Sequence, residues 1–284
     1  MVIYYDPQCE GYATPGHPEA PCRTKRTAAY LKEALPGLDW RRPQPAGAEA
    51  ARLAHTAEHW ERLAEPADFD GDTAYHPGIR GHAARATGAA LGAVATALEG
   101  RRAFSLMRPP GHHATANQAM GFCYLSHVAI AALDALRNHQ LERVAVWDID
   151  AHHGNGTEAI LDGVDGALFC SVHQYPGYPG TGTQSRRNLH NWTVAPGAHH
   201  TKHLEALEAS FARVLAFRPQ LVIVSAGFDA YIDDPITHLS LRVPDFATCG
   251  KWLAEADLPV ASVLEGGYSR DLPELVGAYL RPML

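Results

Sequence analysis

Cysteine is sparse and unpaired: Cys9, Cys22, Cys123, Cys170 and Cys249 are scattered along 284 residues, with no C-x-x-C among them. That excludes a zinc knuckle and a disulfide framework, and it suits reduced thiols in the cytoplasm. Cys123 and Cys170 read as small buried residues without redox duty. Long apolar runs are also missing. None approaches the ~20 residues that cross a bilayer, and Met1–Asp6 reads as a strand rather than as a charged start leading into an apolar targeting segment. There is no basic excess either: 24 Lys and Arg stand against 31 Asp and Glu, a net charge of −7. This argues against a nucleic-acid partner and leaves room for a cationic substrate. No repeat, low-complexity tract or linker is visible, and Arg42–Pro45 is a Pro-rich surface turn. The expectation is a single domain over 1–284, cytoplasmic, without membrane or nucleic acid.

What is present is an alternation of short apolar runs and helical stretches. Ala103–Met107, Val144–Ile149, Leu168–Val172, Leu221–Ser225 and Val260–Leu264 each end in a polar or glycine-rich turn. His82–Leu98, Cys123–Arg137 and His203–Phe217 carry helical spacing. Near-continuous apolar strands between helices indicate an α/β domain whose parallel sheet is covered on both faces. Ligands of such sheets bind beyond the carboxyl ends of the strands. His112, His113, Asp150, His152, Asp229 and Tyr268 all follow expected strands, so they should meet on one rim. His199-His200 matches no motif and reads as a solvated loop.

The densest chemical signal is Trp147-Asp148-Ile149-Asp150-Ala151-His152-His153-Gly154-Asn155-Gly156. Period-2 alternation turns Asp148, Asp150 and His152 to one side. Asp150 and His152 can share a cation, and Asp229 is the candidate third ligand. Two carboxylates and an imidazole leave a position open for water or substrate, as a catalytic zinc needs, although iron or cobalt would also suit the set. Alone, the string is equally a polar strand end with capping and turn roles. Alone, His112-His113 after Pro-Pro-Gly reads as a surface turn, and Tyr268 and Phe122 read as core.

The motifs taken together narrow this. His17-Pro18-Glu19, Arg108-Pro109-Pro110-Gly111-His112-His113-Ala114, Gly121-Phe122-Cys123-Tyr124, the D-I-D-A-H-H-G-N-G-T segment at 148–157, Pro179-Gly180-Thr181-Gly182, Ser225-Ala226-Gly227-Phe228-Asp229 and Glu265-Gly266-Gly267-Tyr268 occur in this order. In them the chain resembles the histone deacetylase and acetylpolyamine amidohydrolase family, nearer its class II branch. The resemblance implies an arginase/deacetylase fold with a central parallel sheet of about eight strands. It implies one zinc ion held by Asp150, His152 and Asp229. It also implies a structural potassium ion at Asp148, Ser171 and the carbonyls of Asp150, His152 and Val172. Gly121 and Phe122 match one wall of an acyl-lysine tunnel, Tyr178 falls near the other, and Gly267 adjoins the substrate. Two departures stand out: Asn155 occupies a position where class I members carry aspartate, and Cys22 one where a polar residue is usual.

In the chemistry so implied, His113 is general base and then general acid, with Asn155 orienting its ring. His112, backed by Asp148, acts electrostatically. Tyr268 donates to the oxyanion, and Gly266-Gly267 lets the backbone place its phenol. The substrate is an acyl-lysine peptide or an acetylated polyamine or small amine. A longer acyl group is the alternative, and a homo-oligomer is left open. The acidic stretch 65–72 reads either as a solvated loop or, by its resemblance in position, as the rim loop that meets substrate, in which case Asp72 is the carboxylate expected to engage it. An arginase-type ureohydrolase ranks low, because Gly154 stands where a two-metal site needs a carboxylate. A silent binding homologue is disfavoured by the intact motifs.

Overall fold

The computed structural model describes residues 1–284. Eight strands form one sheet: β1 (Val2–Tyr4), β2 (Asp39–Arg41), β3 (Ala103–Ser105), β4 (Val144–Asp148), β5 (Ala167–Gln174), β6 (Leu189–Val194), β7 (Leu221–Ala226) and β8 (Val260–Leu264). Their order is β2-β1-β3-β8-β7-β4-β5-β6 and every pairing is parallel. The inner strands are apolar at nearly every position because both faces are covered. On β4, Val144 and Val146 point into a cluster of 37 buried residues. Ala145 and Trp147 point into one of 36 on the other face. The near equality of the two clusters is why no strand shows a hydrophobic-in, polar-out alternation.

The first cluster is closed by α4 (Ile79–Leu98) and α5 (His127–Arg137), the second by α1 (Cys22–Ala34), α7 (His200–Ala216), α8 (Val243–Glu255) and α9 (Leu272–Leu280). Short helices α2 (Ala48–Ala51), α3 (Ala57–Arg62) and α6 (Asn155–Leu161) complete the chain. Small side chains let α4 approach closely: a Cβ at Gly92 would lie 2.7 Å from the Tyr4 ring. All five cysteines are free, and no helix is long and apolar enough to cross a membrane.

Several boundaries differ from the sequence expectation. The helix expected from Cys123 begins only at His127, since 121–126 is irregular chain, bridged at Met120 and Cys123. β4 ends at Asp148, so Asp150 and His152 stand on the loop beyond it rather than on the strand. His199-His200 is not a solvated loop. His199 caps α7, and His200 Nδ1 lies 3.1 Å from Asp245. Strands β2 and β6 and helices α1, α8 and α9 were not anticipated.

Candidate active site

The fold concentrates the chemistry by strand order. β3, β8, β7 and β4 are consecutive neighbours. At about 4.8 Å between strands, the loops leaving their carboxyl ends lie within about 15 Å of one another. These loops carry His112 and His113, Tyr268, Asp229, and Asp150 with His152.

The β3 loop is fastened from beneath. Arg108 is fully buried, with Nη2 2.6 Å from Glu19 Oε2 and Nη1 donating to the Cys9 carbonyl. Glu265, also fully buried, accepts from the backbone N–H of Gly111 at 2.6 Å and of His112 at 3.1 Å. The two imidazoles then lie with centroids 4.0 Å apart, tilted by 44°, in different surroundings. His112 Nδ1 is 3.0 Å from Asp148 Oδ2, and its Nε2 is 3.8 Å from Asp150 Oδ1. Burial disfavours its charge, yet Asp150 and Asp148 carry its pKa up to about 10. His113 Nδ1 meets the neutral Asn155 Oδ1 at 2.8 Å. Burial, then the neighbouring His112 and His152, hold its pKa well below the usual imidazole value. Two adjacent histidines are thus driven apart, one toward the cation and one toward the neutral base.

Asp150, His152 and Asp229 bring donor atoms within 4.8 Å of one another. His152 Nδ1 lies 2.9 Å from Asp229 Oδ2 and 3.2 Å from Asp150 Oδ1. Backbone N–H groups hold the carboxylates: Ala151 N donates to Asp229 Oδ1 at 2.8 Å and Gly266 N to Asp150 Oδ2 at 2.7 Å. Glycine is required beside them, since a Cβ at Gly227 would lie 2.1 Å from Asp150 Oδ2. Burial raises the pKa of Asp229, and the Asp150 charge adds to it. Against burial, Asp229 and Asp150 hold His152 well above its ordinary value. Two buried carboxylates facing one imidazole call for positive charge at that point, and the N/O donor set fits a divalent cation.

Beside this triad, β4 and β5 pair Asp148 with Ser171. His173 Nε2 lies 3.0 Å from the Gly182 carbonyl and must carry the proton there, so Nδ1 accepts from the Ser171 hydroxyl at 2.9 Å. The lone pairs of Ser171 Oγ remain available. Val172 is buried on the same strand.

Above the triad lies a cavity of about 280 Å³. His112, His113 and His152 form its floor and Tyr268 one side. Gly121, Phe122 and Tyr178 line it, with the Tyr178 ring edge-on to His113 at 5.0 Å. Asp72 stands exposed at the rim, its carbonyl accepting from His17 Nε2 at 3.2 Å. Gly267 does not line the cavity. Its carbonyl is turned away to accept from Arg23 Nε at 2.7 Å, and the buried Arg23 guanidinium lies 4.7 Å from the Tyr268 ring centroid.

Sequence reasoning missed Arg23, Asp234 and Ile236. Ile236 lines the cavity. Asp234 accepts from the Tyr268 backbone at 2.8 Å, and burial, then Asp229, push its pKa up to about 7. None sits in a recognisable motif, although Asp234 and Ile236 lie within eight residues of Asp229.

The chain matches the histone deacetylase domain family over residues 17–281. It is 36% identical to the histone deacetylase-like amidohydrolase of Pseudomonas aeruginosa, over 90% of this chain and 74% of that protein. The HDA15 HD domain superposes with a TM-score of 0.94 at 27% identity, over 100% of this chain and 90% of that one. The acetylpolyamine aminohydrolase of Burkholderia pseudomallei gives 0.87 at 26% identity, over 100% and 98%.

Proposed function

The chain belongs to the histone deacetylase family, and from that premise we propose that it is a zinc-dependent amidohydrolase removing an acetyl group from the nitrogen of an acyl-lysine or an acetylated small amine. The observation that carries this reading is the pairing of His112 with the carboxylate of Asp148 and of His113 with the amide of Asn155, beside the metal-fit triad and Tyr268 around one cavity. Asp150, His152 and Asp229 would hold the ion, which when bound would supply Lewis-acid chemistry toward an amide carbonyl and a water.

The protein's own groups do the rest. His113 donates Nδ1–H to Asn155, so its Nε2 lone pair is free to take the proton of the attacking water and return it to the leaving amine nitrogen. His112 stays charged beside Asp148 and lowers the energy of negative charge developing at the carbonyl carbon's oxygens. No side chain hydrogen-bonds the Tyr268 hydroxyl, which leaves it to donate to the oxyanion. Gly121, Phe122 and Tyr178 confine an alkyl chain and exclude water. Asp148 and Ser171 are the side chains we assign to a structural potassium ion. The five free cysteines suit the cytoplasm.

Arginase-type chemistry is disfavoured on space. A Cβ at Gly154 would lie 2.2 Å from Asp148 Oδ2, so the further carboxylate of a two-metal site has no room there.

The test is acetate release by the zinc-loaded protein from an acetyl-lysine peptide and from acetylated polyamines, with Tyr268→Phe as control. Turnover should fall ~10²–10³-fold in the variant and vanish after chelation. The ratio of kcat/KM for the two substrates names the physiological class. Release from neither substrate would defeat the acetyl assignment.

A further inference from the structure

Tyr268 must hold its hydroxyl at a fixed place over the triad, yet the chain leading to it is Gly266-Gly267, with Gly267 at φ +116. The glycines are held by their own backbones, Gly266 N donating to Asp150 and the Gly267 carbonyl accepting from Arg23, but neither contact reaches the amides of Tyr268 and Ser269. The ring itself is only bracketed, by the Arg23 guanidinium at 4.7 Å and the edge of Phe122 at 5.9 Å. Its backbone is held instead. Asp234 is 6% exposed, and its Oδ2 accepts from Tyr268 N at 2.8 Å and from Ser269 N at 3.3 Å. Oδ1 accepts from Ile236 N at 3.1 Å. Asp234 belongs to the loop that leaves β7 with Asp229, and Thr237 Oγ1 of that loop donates back to the Asp229 carbonyl. One carboxylate therefore joins the loop of a triad residue to the turn of the tyrosine, and places the Ile236 cavity wall with its other oxygen.

We propose that Asp234 is a positioning residue for the reaction, setting the distance between the Asp150–His152–Asp229 triad and the Tyr268 hydroxyl. The inference rests on the amide-hydrolysis reading above. Asp234 touches neither substrate nor metal; it acts through the tyrosine. A residue that only supported the fold would weaken catalysis whether or not the phenol were present.

A double-mutant cycle separates the two roles. Asp234→Asn and Asp234→Ala are made in the wild type and in Tyr268→Phe, with zinc content and thermal midpoint measured for each. A displacement near 1 Å costs roughly 10²-fold in rate. In the wild-type background kcat should accordingly fall ~10–10²-fold, with KM within about threefold and one zinc retained per chain. In Tyr268→Phe the same substitutions should cost under about twofold. Amide exchange supplies a readout independent of turnover: in the zinc-free protein the Tyr268 and Ser269 amides should exchange faster in Asp234→Asn. Equal losses in both backgrounds, unchanged exchange, or unfolding of both variants would assign Asp234 a structural role and overturn the proposal. An inactive wild type would instead overturn the hydrolysis reading, while the exchange data would still decide whether Asp234 holds the turn.

Discussion

Gly121 is the most demanding position in the cavity wall. Its φ is +56, and a Cβ there would lie 2.5 Å from His113 Cδ2, 2.9 Å from Cγ and 3.0 Å from Tyr178 Cε1. Carbon atoms rest at about 3.5–4.0 Å, so alanine overlaps the His113 ring by about 1 Å. The ring cannot retreat freely, because Asn155 holds Nδ1 at 2.8 Å and the His112 ring lies 4.0 Å away. Left-handed backbone adds roughly 1–2 kcal/mol against alanine. A 1 Å shift of the proton-transferring nitrogen costs about 10²-fold. Gly121→Ala should therefore lower kcat/KM about 10²-fold, with a small fall in thermal midpoint and zinc content unchanged. Phe122→Ala is the comparison, since its ring packs on His17 at 4.5 Å and Tyr268 at 5.9 Å rather than on His113. Its loss should fall mainly on KM. Steady-state kinetics on the better substrate of the pair decides the matter. A folded, zinc-loaded Gly121→Ala with kcat within twofold of wild type would refute both the clash and the role given to His113.

Two further outcomes follow from groups outside the floor of the site. His203 is fully buried with neither ring nitrogen partnered, and burial holds its pKa down to about 3 against 6.5 when unfolded. Its folded pKa being the lower, its neutral form is at no disadvantage above pH 6.5, and stability is lost as pH falls from there toward 3. His203→Leu should relieve that loss, gaining about 2 kcal/mol more at pH 5.0 than at pH 7.5, from 1.5 pH units at 1.36 kcal/mol each. Urea unfolding at both pH values measures the difference, and identical gains would contradict a neutral buried ring. At the rim, Asp72→Ala should raise KM severalfold for the preferred cationic substrate and leave kcat unchanged; a constant KM would remove Asp72 from substrate recognition.

The unequal legibility of this chain has a physical basis. The strands read correctly from sequence, β1, β3, β4, β5, β7 and β8, are buried on both faces and therefore mostly apolar. β2 is Asp-Trp-Arg and β6 is Leu-His-Asn-Trp-Thr-Val. Both are edge strands, half exposed, and their polar residues hide the pattern. The Cys123–Ser126 segment misled in the opposite direction: it is buried and apolar, yet it follows a cavity wall whose left-handed turn at Gly121 and Phe122 keeps a helix from starting. Within the site, the convergence of His112, His113, Asp150, His152, Asp229 and Tyr268 was legible because candidates are picked by residue type and each stands on a loop that follows a strand. Asp234, Glu265 and Arg23 act on backbone groups 34, 154 and 244 residues away. A carboxylate that receives an N–H from a distant turn leaves no spacing in the sequence, since the partner amide belongs to no particular residue type. Candidate reactive groups can be singled out by their identity, whereas the groups that hold them can be found only once the turns they bind have been brought together.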